Sequence, residues 1–478
     1  MVNPQDYIQE APWAKVDMPR NEFRQFMQKN NLYGILNTLL WIISLFGTGY
    51  LAYLSLDSYW VIPAFFLYGV MYCACDARWH ESSHGTVFKT PWMNTALCFI
   101  ATAMQQRDII FTNWSHVRHH SYTIINDIDP EITVTRPPTF WEHFLNFFSL
   151  GESKYYIPVL VKHAFGIVSE DARKFVPEEE YNRMFWWARA SLLLNLIPII
   201  VAGLTQSWLP LLFVGPLPKM YGNIIQRSFV LAQHAGLDED VWDHRKNSRT
   251  ILVNPFFGFL FMNMQYHVEH HMYPLMPFHQ LPRFHRRVQD QMPKPYKGMI
   301  EVYREMIPAL IKQSKDTTYF IDRKVPGAEE PQKVVRIKEM EASSAMIPMA
   351  AKGAETVMAN QTTSAVPEEL EWHAVTSVKD LASNDVINVK IEGTDYAIVH
   401  TDKGEYYSVS GICTHEHAYM ADGVVESCTI SCPKHNSKFD LKTGNALNRP
   451  AKKALKTYPV KVEDGQVLIG LAAETIKS

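Results

Sequence analysis

An excess of charge of either sign is missing. Lys and Arg number 46 against 49 Asp and Glu, a formal net charge of -3. Without a basic excess there is no electrostatic footprint for nucleic acid, and without an acidic one there is no solvating tail. Cysteine is scarce, and six in 478 residues cannot build a disulfide scaffold. No GxGxxG opens a βα unit, so no dinucleotide or flavin fold is expected inside the chain. No internal repeat occurs. The first thirty residues lack a basic start, an apolar core and a small-residue cleavage site, so no secretory signal peptide is expected. A hydrophobic share of 47% argues against a disordered chain and against one embedded in membrane throughout. What stands out is histidine, 19 in number and strongly clustered.

The apolar residues are unevenly placed. Leu32 to Leu56 holds no charge, and about 24 helical residues reach roughly 36 Å, enough to span a bilayer. Asp57 and Ser58 interrupt, then Tyr59 to Cys75 is again uncharged. Trp186 to Thr205 forms a third candidate span, charged only at Arg189, and Trp208 to Leu231 a fourth, interrupted by Pro210, Pro216, Pro218, Lys219 and Arg227. Segments 92–106 and 250–265 are too short to cross. The turns at 57–58 and 206–207 carry no Lys or Arg, whereas Arg78, Lys89, Arg107, Lys154, Lys162 and Arg173 lie on the other side. Both termini, and everything between the two hairpins, are therefore expected in the cytoplasm.

Composition changes again near residue 320. Residues 321–369 are rich in Ala, Ser, Thr, Met, Lys and Glu and read as a flexible linker. From 370 to 478 short β-type runs (386–391, 395–400, 457–462, 466–471) alternate with turn signals at Glu392-Gly393, Lys403-Gly404 and Asp464-Gly465, as in a small all-β domain. The expected organisation is a cytosolic segment 1–31, a helical membrane domain 32–320 with four transmembrane helices and a cytosolic helical cap, the linker, and the β domain.

Three histidine clusters carry the chemistry. They are HxxxH at His80 and His84, HxxHH at His116, His119 and His120, and HxxHH at His267, His270 and His271. Helical positions i, i+3 and i+4 share a face, so each cluster aims imidazoles at one point. Each follows an apolar segment, which brings all of them to one face of the membrane. His234 lies just past the fourth segment and is a ninth candidate. Nine neutral nitrogen donors exceed what one ion takes and suggest two. Imidazole suits Zn, Cu, Fe and Ni alike.

The clusters resemble those of the membrane fatty-acid desaturase/hydroxylase family over roughly residues 30–320. The stretches that carry the resemblance are WHESSHGTVF (79–88), WSHVRHHSYTIINDIDPE (114–131), AQHAG (232–236) and QYHVEHHMYPLMPFHQLP (265–282). It implies two irons on these histidines, O2 as oxidant, and attack on an unactivated C–H of a hydrophobic substrate dissolved in the bilayer. Asp127, Asp129, Glu81 and Glu269 are candidates to brace the ligands, because a ligating imidazole commonly donates its other N–H to a carboxylate.

A second metal constellation lies in the β domain. Cys413-Thr-His415 and Cys432-Pro-Lys-His435 are separated by 16 residues. Two thiolates and two imidazoles in C-x-H…C-x-x-H suit a [2Fe–2S] cluster with Cys on one iron and His on the other. A Cys2His2 zinc site is the competing reading. The surroundings, CTHEHAYMADG (413–423), CPKHNSKFDLKTGNAL (432–447) and YPVKVEDGQVLI (458–469), resemble the Rieske ferredoxin family. Where the high-potential branch has a bracing disulfide this chain has Ala418 and Lys434, which implies the low-potential, oxygenase-type branch.

The expected protein is thus a multi-pass oxidoreductase with both metal sites cytoplasmic and its own Rieske donor, reduced by a separate NAD(P)H-dependent reductase. Desaturation of a fatty-acyl chain is the first expectation. Hydroxylation of an alkyl, aromatic-methyl or carotenoid substrate is the alternative, and a tethered redox relay or metal sensor without C–H chemistry the remote one.

Overall fold

An uncharged run capped by Asn30, whose side chain accepts from the Leu32 N–H at 2.8 Å, starts the first long helix, Asn31–Leu54. In this computed structural model, residues 14–132, 134–327, 334, 370–415, 418–434, 436–448 and 451–472 are described. They divide into a helical unit ahead of residue 335 and a β unit after it.

Three helices among the described residues are long and apolar enough to cross a membrane: Arg20–Leu54, Val61–Ser83 and Glu178–Thr205. The first exposes Leu36, Ile43, Phe46 and Leu54, with Phe46 at 74%. So large an exposed apolar face is what a membrane-crossing helix presents. The second is largely buried from Tyr68 onward. It runs through Ala74 into Cys75–Ser83, which carries His80 on its last turn and His84 as its C-cap.

The expected fourth span is broken. It forms Leu209–Phe213, Pro216–Gly222 and Ile224–His234. The prolines account for this, since each lacks an N–H and begins a helix more readily than it continues one. The groups freed at the break find partners on tyrosines. The Tyr68 hydroxyl donates to the Phe213 carbonyl at 2.6 Å, the Tyr221 hydroxyl donates to the Leu212 carbonyl at 2.6 Å, and the Tyr72 hydroxyl accepts from the Gly215 N–H at 3.2 Å. Gly69 and Gly222 let the two segments touch backbone to backbone, and a Cβ on Gly222 would lie 2.0 Å from the Gly69 carbonyl carbon. Gly222→Leu is therefore expected to cost about 3 kcal/mol or more, read as a lower melting temperature of the solubilised chain.

The two short apolar segments form helices that lead into the histidine-bearing ones. Pro91–Met104 leads into Ile109–Ser121, capped by Asp108 on the Phe111 N–H at 2.8 Å. Pro255–Leu260, capped by Asn254, leads into His267–Met272. The start of the expected linker is tied to this unit: Ile321 N–H donates to the Gly236 carbonyl at 2.9 Å, and Val334 N–H to the Asp240 carbonyl at 2.8 Å. Residues 328–333 and 335–369 of the expected linker lie outside the described residues.

Among the described residues the β unit has three antiparallel sheets. Asp385–Ile391 and Thr394–His400 pair across Glu392-Gly393, both at positive φ as a two-residue hairpin turn requires. The run 457–462 is split at Pro459 into Thr457–Tyr458 and Val460–Glu463, which join different sheets. Pro459 cannot donate to a ladder, so the chain changes sheet there.

Candidate metal centres

Helical spacing does the gathering. Ile109–Ser121 sends its i and i+4 imidazoles, His116 and His120, to one group and its i+3 imidazole, His119, to another. His267–Met272 does the converse, sending His267 and His271 to the second group and His270 to the first. His80 and His84 complete the first group and His234 the second. Within each group the donor atoms lie within 4.8 Å of one another. The groups abut, with the rings of His120 and His271 stacked at 4.2 Å.

Nitrogen spacing tests whether metal ions fit. In the first group the Nε2–Nε2 distances are 3.0 Å for His84–His116, 3.1 Å for His116–His120 and 3.2 Å for His120–His270. In the second they are 2.9 Å for His234–His267 and 3.0 Å for His267–His271. Two nitrogens about 2.1 Å from one ion stand about 3.0 Å apart at a right angle and about 3.4 Å apart at the tetrahedral angle. The observed gaps suit neighbouring ligands at right angles, and five donors in the first group exceed a tetrahedral set.

The outward nitrogens fix the tautomers. His119 Nδ1 donates to Asp129 at 2.8 Å, His116 Nδ1 to Glu131 at 3.0 Å, and His234 Nδ1 to the Asn247 carbonyl at 2.7 Å. In the neutral ring each of these leaves a bare Nε2 lone pair facing inward. Burial, reinforced by neighbouring imidazoles, holds His120, His234, His267, His270 and His271 well below the usual histidine range, so they stay neutral as ligands must. Burial pushes Glu131 up, but His116 and His119 bring it down to about 2.

Of the carboxylates expected to brace ligands, Asp129 meets one. Glu81 is fully buried and stands 3.5 Å from His270 Nδ1. Two expectations need correction. Glu269 falls on the far side of its short helix from the clustered imidazoles and instead meets Thr250 at 2.6 Å and His285 at 2.5 Å. Asp127 is exposed, whereas His116, His119 and His120 of the preceding cluster are buried. Glu131 was missed, although it follows Asp129-Pro130 directly. Asp129→Ala and Glu131→Ala are each expected to weaken metal binding by roughly 10–100-fold, read as faster loss of metal to a chelator.

A cavity of about 540 Å³ opens on both groups. Its wall includes His80 and His116 of the first and His119, His234 and His267 of the second, together with Trp79, Phe229, Phe261 and Met264.

In the β unit, Cys413 and Cys432 are each 1% exposed and share a core with Met420, Ile430 and Phe439. Their loops are closed by Cys413 N–H to the Ala418 carbonyl and Cys432 N–H to the Ser437 carbonyl, both 2.8 Å. His415 is half-buried, and His435 lies outside the described residues.

The fatty acid desaturase family model matches residues 57–303, and the Rieske [2Fe-2S] domain model matches residues 371–459. The ferredoxin component of the naphthalene 1,2-dioxygenase system of Pseudomonas putida is 39% identical over 22% of this chain and 98% of its own length. The 3-phenylpropionate/cinnamic acid dioxygenase ferredoxin subunit of Photorhabdus laumondii is 44% identical over 18% of this chain and 82% of its own. Among solved structures, the Sphingomonas yanoikuyae B1 ferredoxin matches 21% of this chain and 99% of itself at 32% identity, with a TM-score of 0.20. The chain belongs to the fatty acid desaturase family and carries a Rieske domain, which makes it an O2-dependent oxidoreductase and implies a di-iron centre and a [2Fe–2S] cluster.

Proposed function

We propose that this chain desaturates the acyl chain of a lipid-like substrate, removing hydrogen from two adjacent carbons at the expense of O2. The observation that carries the reading is the single cavity on which both imidazole groups open. In this reading His80, His84, His116, His120 and His270 hold one iron and His119, His234, His267 and His271 the other. Cys413, His415, Cys432 and His435 hold the [2Fe–2S] cluster.

When bound, the irons supply O2 chemistry that acids, bases and nucleophiles cannot perform on an aliphatic C–H, and the cluster supplies electrons singly. The protein does the rest. Asp129, Glu131 and the Asn247 carbonyl keep protons on the outward nitrogens. Trp79, Phe229, Phe261 and Met264 give part of the cavity wall an apolar surface against which a hydrocarbon chain can lie. The broken segment 208–231 serves as the fourth crossing. In this reading both termini and both metal sites lie on the cytoplasmic side, which the Lys/Arg distribution supports. A separate NAD(P)H-dependent reductase feeds the Rieske domain.

Hydroxylation is the second reading, favoured by one observation: the Rieske relatives are ferredoxins of dioxygenase systems. Mass spectrometry of products formed under isotopically labelled O2 decides between them. A product two hydrogens lighter without label is expected. Label in the product would establish hydroxylation, and no O2 uptake on adding any lipid-like substrate would end both readings.

A further inference from the structure

Arg107 lies on the turn between Pro91–Met104 and the histidine-bearing helix Ile109–Ser121. Its backbone is pinned on both sides, the N–H donating to the Thr102 carbonyl at 3.0 Å and the carbonyl accepting from the Ser191 hydroxyl at 3.0 Å. Its side chain lines the cavity and is only 10% exposed. The guanidinium lies over the Tyr156 ring at 3.9 Å and the Trp79 ring at 5.7 Å. Its nearest carboxylate, Glu152, is 3.9 Å away, beyond hydrogen-bond distance, and no partner among the described residues meets its Nε. Glu152 instead accepts from Arg227 at 3.1 Å, and the Arg227 Nε is likewise without a partner.

The acidic groups around the cavity have partners or face solvent. Asp76 accepts from Trp79 Nε1 at 2.8 Å and Gln226 at 2.7 Å. Glu131 meets Ser115 at 2.7 Å and His116 at 3.0 Å. Arg249 donates through one terminal nitrogen to the Ala232 and Ala235 carbonyls at 3.1 and 2.7 Å, but its Nε and other terminal nitrogen have no partner among the described residues. Glu142 is exposed. What the wall leaves over is donors: a fixed, nearly buried guanidinium fork with its hydrogen bonds unmade. Buried donors left this way are rare and call for a partner.

We propose that Arg107, flanked by Arg227, grips a free carboxylate on the substrate, so that the acyl chain enters as the acid rather than as an ester or a hydrocarbon. The inference rests on the desaturase reading above and names its substrate class. A carboxylate accepts two parallel N–H bonds from the guanidinium fork. The apolar body then runs along Trp79, Phe229, Phe261 and Met264. Trp79, which Arg107 covers, stands 5.3 Å from the His116 ring. The oxidised carbon therefore lies near the carboxylate rather than at the far end of a long chain.

The test is equilibrium binding of radiolabelled straight-chain acids, butyrate through palmitate, and of their methyl esters to the full chain in nanodiscs. At least one acid is expected to bind saturably and about tenfold or more tighter than its ester. Arg107→Met is expected to remove that preference without changing ester binding or iron content, and Arg107→Lys to restore part of it. Equal binding of acids and esters, unchanged acid binding in Arg107→Met, or no saturable binding of any acid would overturn the proposal. If Arg107→Met does not fold, the wild-type comparison of acid and ester decides alone. Binding needs no turnover, so a chain that binds acids but consumes no O2 refutes the desaturase reading and leaves the carboxylate site standing.

Discussion

His120→Ala is expected to abolish product formation, by more than about a hundredfold, because a lost ligand should exceed the cost of losing its bracing partner. His120 is central to the first group, with its Nε2 3.1 Å from that of His116 and 3.2 Å from that of His270. Its ring also stacks on His271 of the second group. Alanine leaves the first group one nitrogen short and opens a void between the two. Metal content and product are measured on the same sample. Iron is expected to fall below the roughly four per chain that two irons and one [2Fe–2S] cluster make, with the Rieske spectrum intact. Normal iron and normal activity in His120→Ala would remove it from the ligand set.

The second large effect is expected in the other domain. Cys432→Ser removes one of two thiolates, each buried at 1% exposure in the core of the β unit. The expected result is loss of the Rieske spectrum and of about two irons per chain. Substrate-dependent O2 uptake with a reductase should fall by about two orders of magnitude, since a tethered donor is replaced by chance encounter. A single turnover of chemically reduced protein should survive, because the histidine groups are untouched. Loss of that single turnover along with the spectrum would mean that the cysteine supports more than electron delivery.

The histidine clusters were legible because helical period fixes where i, i+3 and i+4 point. That each helix divides its imidazoles between two groups was not, since the division depends on how His80, His234 and the two helices approach one another. Asp129 was legible as a carboxylate close in sequence to a cluster. Glu131 stands just past a proline, and no local rule says that the chain turns it back to His116. The Asn247 carbonyl that orients His234 is a backbone group and leaves no mark in the sequence at all. The breaks in the fourth apolar segment were signalled by Pro210, Pro216 and Pro218, whereas 457–462 reads as one strand from its alternation and is divided by Pro459. What the local sequence could not show is that Tyr68 and Tyr72, far away in the chain, make the first of those breaks tolerable.

Both large predictions assume that iron occupies the histidine groups. Metal analysis with Mössbauer spectroscopy on the purified full chain tests this most directly. The expected result is about four irons per chain, two in the sulfide-bridged cluster and two bound by nitrogen and oxygen donors. Zinc in the histidine groups, with no iron outside the cluster, would contradict it.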